Sequence, residues 1–242
     1  MNTEAHRITV SGVPVQIVRK AIKNLHFGVY PPTGRVRVAV PLKVSDDAVR
    51  LAVIGKLGWI GRQKARFEGQ ARQSPREMVS GESHYFQGRR YLLRLIEQNG
   101  PGQVVLRNKT TLELRVHRGA DTAGRKRLLD RWYREQLRAA IPPLLARWEA
   151  ILGVHAAAWG IKRMKTKWGA CNVEAGRIWL NLELAKKPAT CLEYLIVHEL
   201  THLLERHHND RFIAHMDQHL PTWRQRRQEL NAAPLAHESW RY

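Results

Sequence analysis

The apolar positions at the start of the chain fall into short runs that are separated by turn-forming residues. Such runs occur at residues 8–10, 15–17 and 36–40. Glycines and prolines interrupt them, at Gly12, Pro31, Pro32 and Gly34. Short apolar runs between such residues are typical of antiparallel strands. We therefore expect the chain to begin with a small β-sheet.

After these runs, apolar residues occur at helical spacing, and the short apolar runs typical of strands then return. Ser45 precedes apolar residues at helical spacing, which predicts a helix over residues 46–70. Short apolar runs resume between residues 85 and 117, with turn signals at 87–88, 99–102 and 108–110. The N-terminal half is therefore predicted to be mostly β.

The second half alternates between long helical patterns and two strand patterns. Apolar residues at helical spacing, from Leu128 through Trp148, predict a long helix with a kink at Pro142 and Pro143. Strands are predicted at 161–165 and 177–182. Pro188, Asn209 and Pro221 then open a long helix and two short ones.

A polar segment at residues 119–124 separates the two halves. It places the predicted domain boundary near residue 120. We expect an α+β protein in which a β-rich N-terminal half, residues 1–120, precedes an α+β C-terminal half, residues 121–242.

The helix after Pro188 carries the candidate chemistry. His198 and His202 lie four residues apart, so on a helix both imidazoles project from one side. Glu199 follows the first histidine. Two neutral imidazoles in this arrangement can bind zinc, and the neighbouring carboxylate can take a proton from a water at the metal. Leucines and other apolar residues surround the helix, and burying two histidines and a glutamate there is costly unless a metal compensates.

A catalytic zinc usually takes three protein ligands. His208 is the leading candidate for the third, because it lies ten residues after His198, the offset found in HExxHxxGxxH sites. Glu205 stands at the glycine position of that pattern, so we expect His207 to make the chain reversal at positive φ. Asp217 and Glu229 remain alternative third ligands.

The composition indicates which binding partners and which cellular compartment to expect. The chain has 41 Lys and Arg against 21 Asp and Glu, a formal net charge of +20. Such a charge attracts polyanions, so nucleic acid or nucleotides are possible partners, although a solvated Arg-rich surface is an equal alternative. The N-terminus has no signal-like apolar run and no membrane-length apolar stretch occurs, so a cytoplasmic protein with no membrane partner is expected. Cys171 and Cys191 are expected to be free thiols.

The segments MKTKWGACN, RIWLNLEL and YLIVHELTHLLERHHNDRF resemble the YgjP-like metallopeptidase family, relatives of the SprT-like zincins. The resemblance spans most of the chain. The matching positions are Trp168, Gly169, Ala170, Cys171, Asn181, His198, Glu199, His202, His208 and Phe212. The chain departs from the family at Ala170, where Ser is common, and at His207, where Asn is common.

The resemblance implies a β-rich N-terminal region, a zincin core and a metallopeptidase activity on polypeptides. Proteins of this type have also been connected with hydrolysis of nucleoside triphosphates, notably UTP. A zinc metallopeptidase with Zn²⁺ as cofactor is our first hypothesis. A metal-dependent nucleoside triphosphate (UTP) pyrophosphatase and a nucleic-acid-binding protein with a structural metal site are the alternatives.

Three residues upstream of the metal helix are assigned to substrate binding. Trp168 and Gly169 lie between the two predicted strands and could line the substrate cleft, although a packed tryptophan beside a tight turn is equally compatible. Asn181 either orients substrate or ends its strand. The strand at residues 177–182 is expected to pair, as a sheet edge, with an extended peptide.

Overall fold

The computed structural model describes residues 5–30, 34–68, 76–164 and 167–232 of the chain. The chain divides into two compact units, Met1–Ala71 and Arg72–Tyr242. Strands dominate the N-terminal half and helices the C-terminal half, so the predicted α+β class is confirmed. Within the described residues, no helix combines the length and the apolar character needed to cross a membrane.

The first unit contains a four-stranded sheet. Its strands are β1 (Ala5–Val10), β2 (Val13–Lys20), β3 (His26–Tyr30) and β4 (Arg35–Pro41), arranged in the order β1-β2-β4-β3. β2 and β4 are parallel, whereas the other neighbours are antiparallel. The expectation of antiparallel strands alone was therefore wrong, because side chains alternate with the same two-residue period in both kinds of pairing.

Two helices complete the first unit, where one had been predicted. α1 (Asp46–Ile54) begins at Ser45, whose hydroxyl accepts a hydrogen bond from the Ala48 amide, and it ends at Gly55. α2 follows as Leu57–Glu68. Apolar residues continue at helical spacing across the break between α1 and α2, because residues of both helices pack into one core. The helical members of that core are Val49, Val53 and Ile60.

The second unit begins with another four-stranded sheet and one long helix. Its strands are β5 (Ser83–Phe86), β6 (Arg89–Gln98), β7 (Gln103–Leu106) and β8 (Thr111–His117), in the order β5-β6-β8-β7. α3 (Thr122–Leu152) is one continuous helix that includes both prolines, and Gly153 ends it in the left-handed conformation.

This sheet and α3 share one hydrophobic core. Leu112 and Leu114 of β8 lie in the same cluster of buried residues as Leu129 and Tyr133 of α3. The division between Ala71 and Arg72 therefore differs from the predicted boundary near residue 120. The polar segment at 119–124 is a turn inside the second unit rather than a linker, because side chains on both sides of it pack together.

A three-stranded sheet and three helices form the rest of the second unit. The strands are β9 (Ala158–Lys162), β10 (Gly169–Asn172) and β11 (Arg177–Asn181), in the order β10-β11-β9. A short 3₁₀ helix (Leu182–Lys186) leads to α4 (Ala189–Leu204), α5 (Asp210–His219) and α6 (Trp223–Ala232). The three helix starts agree with the predictions from Pro188, Asn209 and Pro221.

Candidate metal centre

Helix α4 presents the two histidines and the glutamate of the sequence motif. It packs against α3, α5, α6, β10 and β11, and most of its residues are buried, as its apolar sequence predicts. His198 and His202 project from the same side of the helix, with ring centroids 4.9 Å apart. Glu199 is 4% exposed.

The chain after α4 brings His208 back to these rings. Glu205 ends the helix with an extended backbone (φ −139°, ψ 111°), while its amide still donates to the Thr201 carbonyl. His207 is absent from the described residues with positive φ, so the predicted left-handed hinge was wrong. The chain reverses through the extended backbone of Glu205 and the bends of residues 206–209. Within these bends the Asn209 amide donates a hydrogen bond to the His207 carbonyl.

The three histidines form a compact triangle. The His208 ring centroid lies 4.9 Å from that of His198 and 4.7 Å from that of His202. One nitrogen from each ring can be chosen so that all three lie within 4.8 Å of one another. His198 and His202 are partly buried and His208 is exposed, so the cluster opens to solvent on one side.

Phe212 supports all three rings. Its centroid lies 5.0 Å from that of His198 and 4.8 Å from those of His202 and His208. The side chain is 2% exposed. Asn209 caps α5 by accepting a hydrogen bond from the Phe212 amide at 3.0 Å, which fixes where this ring enters the core.

One pair of ring nitrogens has the separation expected for two ligands of a tetrahedral zinc ion. Nε2 of His198 and Nε2 of His208 lie 3.1 Å apart. Two nitrogens bound to one tetrahedral zinc at ordinary bond lengths are separated by about 3.3 Å. Nδ1 of His202 lies 3.2 Å from the Glu205 carbonyl, and donating a proton there leaves its Nε2 as a lone-pair donor. The three residues therefore fit a zinc ion.

Burial keeps these histidines neutral, the form that binds metal. Burial, reinforced by the charges of His202 and His208, lowers the pKa of His198 to about 3. The pKa values of His202 and His208 are also lowered, mainly by burial. Nδ1 of His198 is buried and has no hydrogen-bond partner among the described residues. Such a group destabilises the fold by about 1–3 kcal/mol.

Glu199 is held against the backbone of strand β10. A Cβ built on Gly169 would lie 2.4 Å from Oε1 of Glu199 and 2.9 Å from its Cδ. Only glycine allows the carboxylate this position, because any side chain at residue 169 would occupy it. Burial raises the pKa of Glu199 to about 8, although Lys167 opposes the shift. Gly169 had been assigned to substrate binding, and the structure places it beside Glu199.

Asn181 does not reach the cleft as a substrate-binding residue. Its side chain is 0% exposed, and its amide nitrogen donates to the carbonyls of Met164 and Lys167, both at 2.8 Å. Its amide oxygen accepts from the Met164 and Glu183 amides at 3.3 and 3.2 Å. These four bonds use the capacity of the amide. Asn181 therefore anchors the backbone at Met164 and at Lys167, the residue before Trp168.

Trp168 immediately precedes strand β10. It is partly buried, directly precedes Gly169, and the ammonium of Lys187 lies 5.3 Å from its ring centroid. A role in substrate binding stays a prediction for this residue.

The edge strand of the site is β10, not β11. β11 pairs with β10 on one side and with β9 on the other, so both of its edges are occupied. The prediction that residues 177–182 pair with substrate was therefore wrong. β10 was not predicted, since its four residues GACN have no apolar run, yet it is the edge strand that packs against α4.

The other candidate ligands lie outside the triad. Asp217 accepts hydrogen bonds from Trp223 and Arg224, and an oxygen of Glu229 lies 3.8 Å from the sulfur of Cys191. His208 is therefore the third ligand that the geometry favours. Cys171 and Cys191 are both free thiols, as expected.

Comparison with known families agrees with this geometry. The YgjP-like metallopeptidase domain matches residues 24–233. The chain belongs to the YgjP-like family. The resemblance inferred from the Trp-Gly and HExxH segments is thereby confirmed, and a zincin-like metallopeptidase domain accounts for the α+β architecture. Comparison with curated proteins gives no match.

Two cations near the centre were not found from the sequence. Arg227 of α6 lowers the pKa values of His198 and His208, and Lys167 lowers that of Glu199 against the effect of burial. The sequence does not show these effects on the pKa values, because they depend on the packing of α6 and β10 against α4.

Proposed function

We propose that this protein is a zinc-dependent metallopeptidase that hydrolyses peptide bonds, with His198, His202 and His208 holding the ion. The supporting observation is the triangle of imidazole nitrogens, all within 4.8 Å of one another; His198 and His202 lie on the helix that also carries Glu199, and His208 follows that helix. Three imidazoles favour zinc over magnesium or calcium, which prefer oxygen ligands. When bound, the ion supplies a Lewis acid that polarises the scissile carbonyl and makes water more acidic.

Glu199 is the proposed proton carrier. Its carboxylate accepts a proton from the attacking water and returns it to the leaving amine. The close contact with Gly169 restricts where the carboxylate can lie. A side chain held by packing in this way loses little freedom during the reaction, which is what general base catalysis requires.

Strand β10 is the proposed binding edge for the polypeptide. Its free edge offers backbone donors and acceptors to an extended peptide, which would add to the sheet as a further strand. Residue 169, the first of β10, lies against Glu199, so a peptide paired there would run past the carboxylate. Trp168 lies at the beginning of this edge and supplies apolar contact area.

The test compares wild type with Glu199→Gln, which removes the base and keeps the shape of the side chain. Both proteins, loaded with zinc, are incubated with an unfolded protein, with and without DNA, and with nucleoside triphosphates. We expect proteolysis by wild type and its loss in the variant. Hydrolysis of UTP that requires Glu199, without any proteolysis, would show that the substrate class is a nucleotide.

A further inference from the structure

The sheet of strands β5 to β8 packs one of its two faces against α3. Side chains alternate along each strand, so every second residue points to the core. Leu93 of β6 and Leu112 and Leu114 of β8 are such residues, and all three lie in the core that α3 shares. The residues between them form the opposite surface of the sheet, which we call the outer face. It includes Tyr85, Arg90, Leu92, Arg94, Glu113 and Arg115.

Glu113 lies in the middle of the outer face and has three arginines around it. Arg115, two residues further along β8, donates from Nε and Nη2 to Oε2 of Glu113 at 3.3 and 2.8 Å. Arg94 lies opposite Glu113 on β6, with its Nη1 3.7 Å from Oε1. Nε of Arg107 lies 4.0 Å from the same oxygen. These side chains cover Glu113, which is 3% exposed, and the hydrogen bond from Arg115 lowers the pKa of its carboxyl.

Arg94 and Arg107 exceed what Glu113 requires. Both lie beyond hydrogen-bond distance of the carboxylate, whose hydrogen bonds from described side chains come from Arg115. Their side chains are 66% and 65% exposed. Glu113 is the only acidic residue among the described outward-pointing residues of these four strands. Three guanidiniums therefore share one carboxylate, and two positive charges remain uncompensated.

The arrangement of these cations suits an anion that repeats its charge along a chain. Uncompensated arginines on an exposed surface attract polyanions, and a guanidinium can bind two oxygens of one phosphate at once. Arg90 extends the basic surface along β6, four residues before Arg94 and about 13 Å from it along the strand. A chain of phosphates covers such a distance, whereas a compact anion does not.

The shape of the outer face favours a single strand over a duplex. Four strands spaced by about 4.8 Å make a surface about 14 Å wide, broader than the major groove of B-DNA at about 12 Å. Tyr85 and Leu92 are exposed on the same face, and such side chains provide contact surface for unstacked bases. β6 and β8 each have both edges paired, so their backbones offer nothing to an added peptide strand.

We infer that the outer face binds single-stranded nucleic acid, with phosphates on Arg94 and Arg107 and bases against Tyr85 and Leu92. This inference goes beyond the proposed function and does not depend on it. The metal centre is formed by α4 and the residues that follow it, whereas the outer face belongs to β5 to β8. It assigns part of the net charge of +20 to one surface.

Fluorescence anisotropy of a labelled oligothymidine tests this inference on the full-length protein. The oligonucleotide has about 15 residues, the upper range of site sizes for a single-strand-binding fold. We expect binding that weakens as NaCl increases. The double variant Arg94→Ala, Arg107→Ala should bind several-fold more weakly. It should also make the slope of log K against log salt shallower by about 1.4, because each phosphate contact on a single strand contributes about 0.7.

The matched control is the double variant Arg131→Ala, Arg138→Ala. Both arginines are exposed on α3, which packs on the other face of the sheet, so this variant loses the same charge from elsewhere. It should keep the wild-type affinity and salt slope. Equal losses in the two double variants would show that binding follows net charge alone and would overturn the inference. Failure of wild type to bind the oligonucleotide would also overturn it.

Three further probes identify the class of ligand. Tyr85→Ala should weaken binding of oligothymidine and leave unchanged the binding of an abasic strand of equal length; equal effects on both would overturn the base contact. Polyglutamate that binds as tightly as oligothymidine, and through Arg94 and Arg107, would overturn the inference in favour of an acidic polypeptide. Tighter binding of a duplex of the same length would overturn it in favour of double-stranded nucleic acid.

Discussion

Replacing Gly169 with alanine tests how strictly the structure holds Glu199. The new Cβ would lie 2.4 Å from Oε1, 2.9 Å from Cδ and 3.0 Å from Cγ of Glu199. Carbon atoms pack without strain at about 3.5–4.0 Å, so the carboxylate must move by about 1 Å. A misplacement of this size can lower the rate of a reaction about 100-fold. The fold should lose less, about 1–3 kcal/mol, because the displaced atoms are at the end of a side chain.

The assay measures kcat/KM on an unfolded protein together with zinc content and melting temperature. We expect Gly169→Ala to keep one zinc per chain and to lose about 100-fold in kcat. Gly61→Ala is the control, since a Cβ there meets nothing within 4 Å. Full activity in Gly169→Ala would refute the positioning of Glu199 by this contact. Loss of zinc would show that Gly169 supports the ligands instead.

Three further predictions concern the residues around the centre and the first unit. Asn181→Ala should lower the free energy of unfolding by about 1–3 kcal/mol, measured in urea, because the backbone groups of Met164 and the carbonyl of Lys167 lose their hydrogen-bond partner; unchanged stability would contradict the anchoring role. Phe212→Ala should cost about 3–5 kcal/mol in the same assay and weaken zinc binding in a competition titration, since all three imidazoles lose their support; unchanged zinc affinity would contradict this. The hydrogen bond from His6 and the charges of His6 and Arg19 lower the pKa of Asp46 from its ordinary value of 3.8. The ionised form of Asp46 therefore stabilises the fold at pH values above 3.8. Asp46→Asn should therefore lower the melting temperature at pH 7, and the difference from wild type should shrink as the pH falls through the folded-state pKa; a difference independent of pH would refute it.

The metal helix could be predicted from the sequence because its signals are local. The interval from His198 to His202 needs only helical geometry to bring the rings together. Pro188 and Asn209 mark helix starts through their own backbone and side-chain chemistry. His208 was found from a spacing rule, even though the residue proposed to make the turn, His207, has no positive φ.

The parts that were missed depend on contacts between distant segments. A run of alternating residues does not show whether a strand lies at an edge, which is why β11 was mistaken for the edge. β10 was overlooked because its four residues contain no apolar run. Asn181 looked equally compatible with substrate binding until its four backbone partners were known. Arg227 and Lys167 affect the pKa values of His198 and Glu199 only because α6 and β10 pack against α4.

Zinc content after exhaustive dialysis tests the central assignment most directly. The proteins to compare are wild type, Glu199→Gln, and the alanine variants of His198, His202 and His208. We expect one zinc per chain in wild type and in Glu199→Gln, and little or none in each histidine variant, because a site with two imidazoles binds zinc far more weakly. A full equivalent of zinc in the His208 variant, or none in wild type after zinc is added, would contradict the proposed metal centre.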